Sequence, residues 1–178
     1  MSRIRWVVLG VAVFVISLGA VFVASVGRGP VASHANLLGK QAPVVSLKNL
    51  VDGTPLSTAP KAGHVVVVNF WNSWCIPCRQ EQPALKAFYT EHRKEADFTM
   101  IGVLRSDGQK EARAYAAAEG MNWALAADPH GDAAVAFGTT GQPETYVIGP
   151  DGVVAAWLSG PASLSDFDAM LNRAKRIN

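Results

Sequence analysis

Two cysteines stand in a chain of 178 residues, and only two residues separate them: Cys75-Ile76-Pro77-Cys78. Thiols so spaced, where a strand ends and a helix begins, are suited to thiol–disulfide exchange. The reaction needs a thiolate, and a free thiol at neutral pH is mostly protonated. The first turn of a helix offers unpaired N–H groups and the positive end of the backbone dipole, and both favour the thiolate. On this reading Cys75 lies at the N-cap edge, open to solvent, and attacks. Cys78, one turn deeper, resolves the mixed disulfide. Pro77 fits a first turn that has no use for its missing N–H.

The elements that must hold this pair are legible on either side. Val65 to Val68 followed by Phe70 and Trp71 reads as a buried, β-branched strand. Asn72-Ser73-Trp74 makes the turn, and a helix follows with Leu85, Phe88 and Tyr89 as its apolar stripe, fading near His92. Pro83 lies inside that helix and should bend it, since it removes a ladder hydrogen bond. Other uses of the pair fit less well. A structural disulfide across so short a loop constrains little of the unfolded chain. A zinc site needs four ligands; there is no second Cys pair, and His34, His64, His92 and His130 are scattered without ligand spacing. No metal and no cofactor is expected, because the thiols carry the electrons themselves.

Glu81 follows Cys78 by three residues and shares its helical face. It reads either as an exposed acid favourable to the helix dipole, or as a carboxylate that raises the thiol pKa and moves a proton during exchange. Pro143, just before a strand in Gly141-Gln142-Pro143-Glu144-Thr145-Tyr146, reads from the residues alone as a turn proline.

A formal net charge of +2 argues for no nucleic acid or other strongly charged partner. The hydrophobic fraction of 49 % is raised by the N-terminus. After Arg3 and Arg5, Trp6 to Val26 runs for 21 residues without a charge. As a helix that is about 31 Å, enough to cross the hydrocarbon core. A cleavable signal has a shorter apolar region of about 7–15 residues, and Ser33-His34-Ala35 lies far from the run for a cleavage site. The expectation is an uncleaved anchor over 6–26, with residues 1–5 in the cytoplasm, a small-residue linker over 27–37, and the remainder, 38–178, outside the cytoplasmic membrane.

Within 38–178, Val44 to Leu50 and Pro55 to Ser57 form a hairpin around Asp52-Gly53. Phe98 to Leu104 is a strand, and Gln109 to Glu119 an alanine-rich helix with Asp107 as N-cap and Gly120 as its stop. Trp123 to Ala126 is a short apolar run, and Ala133 to Phe137 a brief helix. Thr145 to Ile148 and Val153 to Leu158 form a second hairpin, and Leu164 to Arg176 an amphipathic helix with Leu164, Phe167, Met170 and Leu171 on one face. Alternating strands and helices imply an α/β sheet covered on both faces.

Phe70-Trp71-Asn72-Ser73-Trp74-Cys75-Ile76-Pro77-Cys78 after a valine-rich strand resembles the thioredoxin superfamily. The extension Arg79-Gln80-Glu81-Gln82-Pro83 and the run Gly141-Gln142-Pro143-Glu144-Thr145-Tyr146 are similar to the membrane-anchored TlpA, ResA and CcmG (DsbE) group, nearest in the latter run to CcmG. The resemblance implies a thioredoxin-like fold with an N-terminal hairpin and an insertion between the second strand and Pro143. It implies that Pro143 is cis and faces the dithiol, that Glu81 handles protons, and that Trp74 packs beside Cys75 and limits access. Glu144 is a weaker candidate of the same type as Glu81. Trp71 and Trp74 otherwise read as core aromatics, Trp71 more so. Asn69 is a departure: thioredoxin has a buried aspartate there, and an amide cannot titrate. Asn72 stands three residues before Cys75, where peroxiredoxins carry Thr.

The implied activity is that of an extracytoplasmic protein thiol–disulfide oxidoreductase. It would reduce partner disulfides, such as those of apocytochrome c in cytochrome c biogenesis, and be recharged by a membrane thiol donor. The alternatives are an oxidase or isomerase for secreted proteins and a non-enzymatic tethered binding module.

Overall fold

The computed structural model describes residues 2–26, 37–59 and 63–176, in two units, 1–32 and 33–178. The expected linker, apart from Leu37, and the Ser33-His34-Ala35 site lie outside the described residues. In the first unit a helix, α1 (Ser2–Val26), carries the uncharged run. Its side chains are described over 5–20, and all of them are exposed. Among the described residues no helix is long and apolar enough to cross a membrane.

The second unit is a seven-stranded mixed sheet. In chain order its elements are β1 (Ser46–Asn49), β2 (Pro55–Ser57), β3 (Val65–Trp71), α2 (Ile76–His92), β4 (Phe98–Arg105), α3 (Gln109–Glu119), β5 (Ala124–Asp128), α4 (Asp132–Ala136), β6 (Glu144–Ile148), β7 (Val154–Ser159) and α5 (Leu164–Lys175). The strands lie in the order β2-β1-β5-β4-β3-β6-β7. β3 is parallel to β4 and antiparallel to β6, and all seven of its residues are buried, as its valine run requires of an inner strand.

Side-chain alternation along β3 sorts the core into two. Val65, Val67 and Trp71 join Leu85 and Phe88 of α2, Ala112 and Ala116 of α3, and Phe167 and Leu171 of α5 on one face. Val66, Val68 and Phe70 join Ala133, Ala134 and Phe137 on the other. The period of two puts Asn69 on the α2 face. Phe88 packs on Phe167 with ring centroids 5.4 Å apart, which ties the dithiol-bearing helix to the last one.

The N-terminal hairpin forms as expected but shorter, with its turn set by Asp52 accepting from the Thr54 N–H at 2.9 Å. The apolar run after α3 is a full strand, β5, parallel to β4 and antiparallel to β1. The block read as an insertion thus contributes an interior strand to the sheet. Helix α5 opens on a capping box the sequence reading passed over: the Ser163 side chain accepts from the Asp166 N–H, and the Asp166 carboxylate accepts from the Ser163 N–H. Such a cap stabilises by about 1 kcal/mol. Asp107, expected to cap α3, does not; the N-cap is Gly108, which makes no side-chain cap bond. The carboxylate is engaged elsewhere, as described next.

Candidate active site

Helix α2 begins directly after Cys75, which is its N-cap residue, and Pro77 lies in its first turn. Cys75 and Cys78 are joined as a disulfide with Cα atoms 5.2 Å apart. The Cys78 N–H donates to Cys75 Sγ at 3.0 Å, so the sulfur occupies the place of a capping oxygen. A thiolate formed on Cys75 inherits that bond and the helix dipole, the two stabilising effects anticipated above. The helix continues through Pro83 to His92.

Cys75 is less open than expected, at 5 % exposure. The reason is local: its sulfur is bonded to Cys78 and lies 3.6 Å from the Gln142 carbonyl oxygen, while Trp74 and Ile76 project outward on either side. Trp74, Cys75, Ile76, Pro77 and Gln142 line a shallow open cleft. Trp74 is 60 % exposed, and its indole N–H donates to the Ser106 carbonyl at 3.3 Å; Trp71 is a core residue at 2 %. The Gln142–Pro143 peptide bond is cis, and Pro143 is buried beside this cleft.

Behind the disulfide Glu81 is 2 % exposed, which excludes the exposed-acid reading. Its Oε1 accepts from Asn69 Nδ2 at 2.9 Å, and its Oε2 accepts from the Ala162 N–H at 3.2 Å. The same Asn69 amide donates to Thr145 Oγ1 at 3.0 Å. Burial pushes the Glu81 carboxyl up to about 7, against the lowering effect of the bonds from Asn69 and Ala162. The Asn69 amide donates to the Glu81 carboxyl and has no titratable proton of its own. A carboxyl that titrates near neutral pH, one turn behind Cys78, is suited to exchange protons with a thiol.

Glu144 is placed differently from Glu81. Along β6 it alternates with Thr145, so its side chain goes to the opposite face of the sheet from Asn69 and Glu81, with Tyr146. There it is fully buried and accepts from the N–H groups of Thr140 and Gly141, the Tyr146 hydroxyl and the Trp157 indole. It secures the loop that leads into Pro143 and has no access to the thiols.

Several participants escaped the sequence reading. Asp107 Oδ2 accepts from the Ser73 N–H at 2.6 Å. The Ser73 carbonyl accepts from Arg79 Nε and Nη2 at 2.8 and 2.6 Å, and the guanidinium lies over the Tyr115 ring, 5.1 Å from its centroid. Both sides of Ser73 are thereby held, two residues before Cys75. Asn72 is fully buried and donates to the Arg105 carbonyl at 3.4 Å. No local pattern announces these contacts, because they join segments more than thirty residues apart, except that of Arg79 with Ser73.

An α/β sheet of this order, with a dithiol at the N-terminus of the helix after its central strand and a cis-proline across from it, defines a thioredoxin-like protein thiol–disulfide oxidoreductase. The chain belongs to the AhpC/TSA family, whose model matches residues 38–157. Among curated proteins it is 34 % identical over 146 residues to the thiol:disulfide interchange protein HelX of Rhodobacter capsulatus, covering 81 % of this chain and 80 % of that one. It is 33 % identical to the thiol:disulfide interchange protein DsbE homolog of Paracoccus denitrificans, covering 78 % and 75 %. Among solved structures, the thiol:disulfide interchange protein of Chlorobium tepidum superposes with a TM-score of 0.67 at 29 % identity, covering 75 % of this chain and 94 % of that chain.

Proposed function

We propose that the protein is a membrane-tethered, extracytoplasmic reductant of partner-protein disulfides, and that its partners include apocytochrome c during cytochrome c biogenesis. The observation that carries the reductant reading is the buried Glu81 carboxyl, pushed up to about 7, one turn behind Cys78 in the helix that Cys75 caps. In the reduced protein the Cys75 thiolate attacks one sulfur of the partner disulfide, and the other partner sulfur leaves as a thiolate. Cys78 gives its proton to the Glu81 carboxylate and attacks Cys75 Sγ. The partner's second sulfur then leaves, and Cys75 and Cys78 end as the disulfide. Two electrons pass to the partner, and a membrane thiol donor returns them. The choice of apocytochrome c is supported by the likeness to CcmG-type sequences and to HelX and DsbE proteins. Equilibration of the Cys75–Cys78 pair against a thiol buffer, followed by Trp fluorescence, tests the direction. A potential near or below about −270 mV is expected; one near −120 mV would assign the protein to disulfide donation instead.

The tether is supported by the uncharged run from Trp6 to Val26 and by α1, whose described apolar side chains, among them Trp6, Phe14 and Ile16, are all largely exposed. A helix with apolar side chains on every side is suited to an apolar surrounding. Fused at its C-terminus to alkaline phosphatase, the full chain is expected to sediment with membranes and to give phosphatase activity in intact cells. A soluble or inactive fusion counts against both the tether and the outward orientation.

A further inference from the structure

Both walls of the cleft are attached to one short loop after β4. On one side Asn72 Nδ2 donates to the Arg105 carbonyl, the Trp74 indole to the Ser106 carbonyl, and the Ser73 N–H to Asp107. On the other, Arg105 Nη1 donates to Gln142 Oε1 at 3.2 Å, and the carbonyl of that same Gln142 lies 3.6 Å from Cys75 Sγ. Ser106 is held at φ 53 in the middle of this loop, the one non-glycine residue with positive φ among the described residues. A conformation so sparsely populated persists where surrounding contacts over-determine it.

Arg105 is half-buried at this junction, and among the described residues its guanidinium makes one hydrogen bond, to a neutral amide. Among the described residues it forms no ion pair. Asp107 accepts from the Ser73 N–H, and Asp128, the register partner of Arg105 on β5, from the N–H groups of Ala133 and Ala134; neither is paired with Arg105. A guanidinium with donors to spare is suited to a carboxylate supplied by another molecule, to which it can bond in a bidentate fork.

We propose that Arg105 is a specificity-determining residue that selects partner segments carrying a carboxylate side chain beside the target disulfide. Its hydrogen bond ties the guanidinium to Gln142, the cleft residue whose carbonyl lies 3.6 Å from Cys75 Sγ, so an Asp or Glu near the attacked cysteine meets a positive charge on the Gln142 side as the sulfurs approach. The inference rests on the reading of Cys75 as the attacking thiol, and adds to it a substrate class. No redox step beyond the exchange already described is required.

The test uses the full chain in detergent, pre-reduced, and two synthetic disulfide peptides of one sequence, flanked by Asp in one and by Lys in the other. Single-turnover rates are measured under second-order conditions. The wild type is expected to favour the Asp peptide by about threefold to fivefold at low salt, the range of an exposed ion pair, and by less at about 0.5 M salt. Arg105→Lys keeps a preference of the same sign, Arg105→Ala loses it, and Arg105→Glu reverses it. Because each ratio is internal to one variant, a general loss of rate through Gln142 cancels. Equal rates in the wild type overturn the proposal, as does an unchanged ratio in Arg105→Glu. A uniform slowing of both peptides in Arg105→Ala at constant ratio shows a positioning role only and also overturns it. Failure of the wild type to reduce either peptide removes the exchange reading itself, and the selectivity with it.

Discussion

Replacing Cys75 by Ser is expected to reduce disulfide-reducing turnover to the uncatalysed background, while Cys78→Ser is expected to stop the reaction halfway. The asymmetry follows from position. Cys75 lines the cleft formed with Trp74, Ile76, Pro77 and Gln142, whereas Cys78, one turn into the helix, does not line it. Only the first sulfur can meet a partner; only the second can reach the first. A Ser hydroxyl forms no S–S bond, so loss of Cys75 removes the mixed disulfide altogether. With Cys78 replaced, the mixed disulfide forms and has no internal thiol to break it. Cys78→Ser should therefore accumulate partners that migrate with the protein on non-reducing gels and separate on adding reductant. Both variants should remain folded, since the native disulfide closes only the Cys75–Cys78 loop and adds little to the constraint of the unfolded chain. A Cys75→Ser variant that still reduced a disulfide substrate would sink the mechanism.

What could be read in advance was local. The strand, turn and helix around the dithiol follow from a valine run, a Cys-x-x-Cys and a proline tolerated in the first turn, all within one continuous stretch, and β3 and α2 form accordingly. The cis isomer at Pro143 was legible only through resemblance, because the residues alone describe an ordinary turn proline. What failed to be legible depends on distant segments. Asp107 resembles a cap because it precedes a helix by two residues, yet its carboxylate is drawn to Ser73, 34 positions away in sequence. Glu144 and Glu81 look equivalent as acids near the site, but strand alternation sends one to the far face while the helix turns the other inward. The spacing of Glu81 from Cys78 gives a shared face; it cannot show that Ala162, at the approach to α5, closes over the carboxyl. Cys75 was expected in the open because an N-cap residue has no helix around it, and Gln142 from a different strand's approach covers it.

Glu81 should leave a signature in stability as well as in rate, and the two can be measured separately. Its carboxyl is raised from 4.5 to about 7 in the folded protein, with burial the main cause. Below about pH 4.5 the folded and unfolded chains are both protonated at this position. Between about 4.5 and 7 the unfolded chain ionises first, so the folded state loses stability as pH rises, by about 3 kcal/mol in all, and the loss levels off above the folded value. Glu81→Gln removes the titration. Its carbonyl oxygen can still accept from Asn69, but its amide then meets the Ala162 N–H donor to donor, a loss of about 1 kcal/mol. The variant should thus be somewhat less stable than the wild type near pH 4.5 and more stable by about 2 kcal/mol near pH 8, with a crossing between. Denaturant titrations of the oxidised forms at several pH values give these numbers. In the reduced form, Glu81→Gln has no group to take the Cys78 proton, and resolution at neutral pH should slow on the order of a hundredfold, with the rise of rate around pH 7 absent from the profile. A structural carboxyl would give the first result without the second. A variant that keeps the wild-type pH–rate profile, whatever its stability, would leave proton transfer to solvent and reduce Glu81 to a buried support for Asn69.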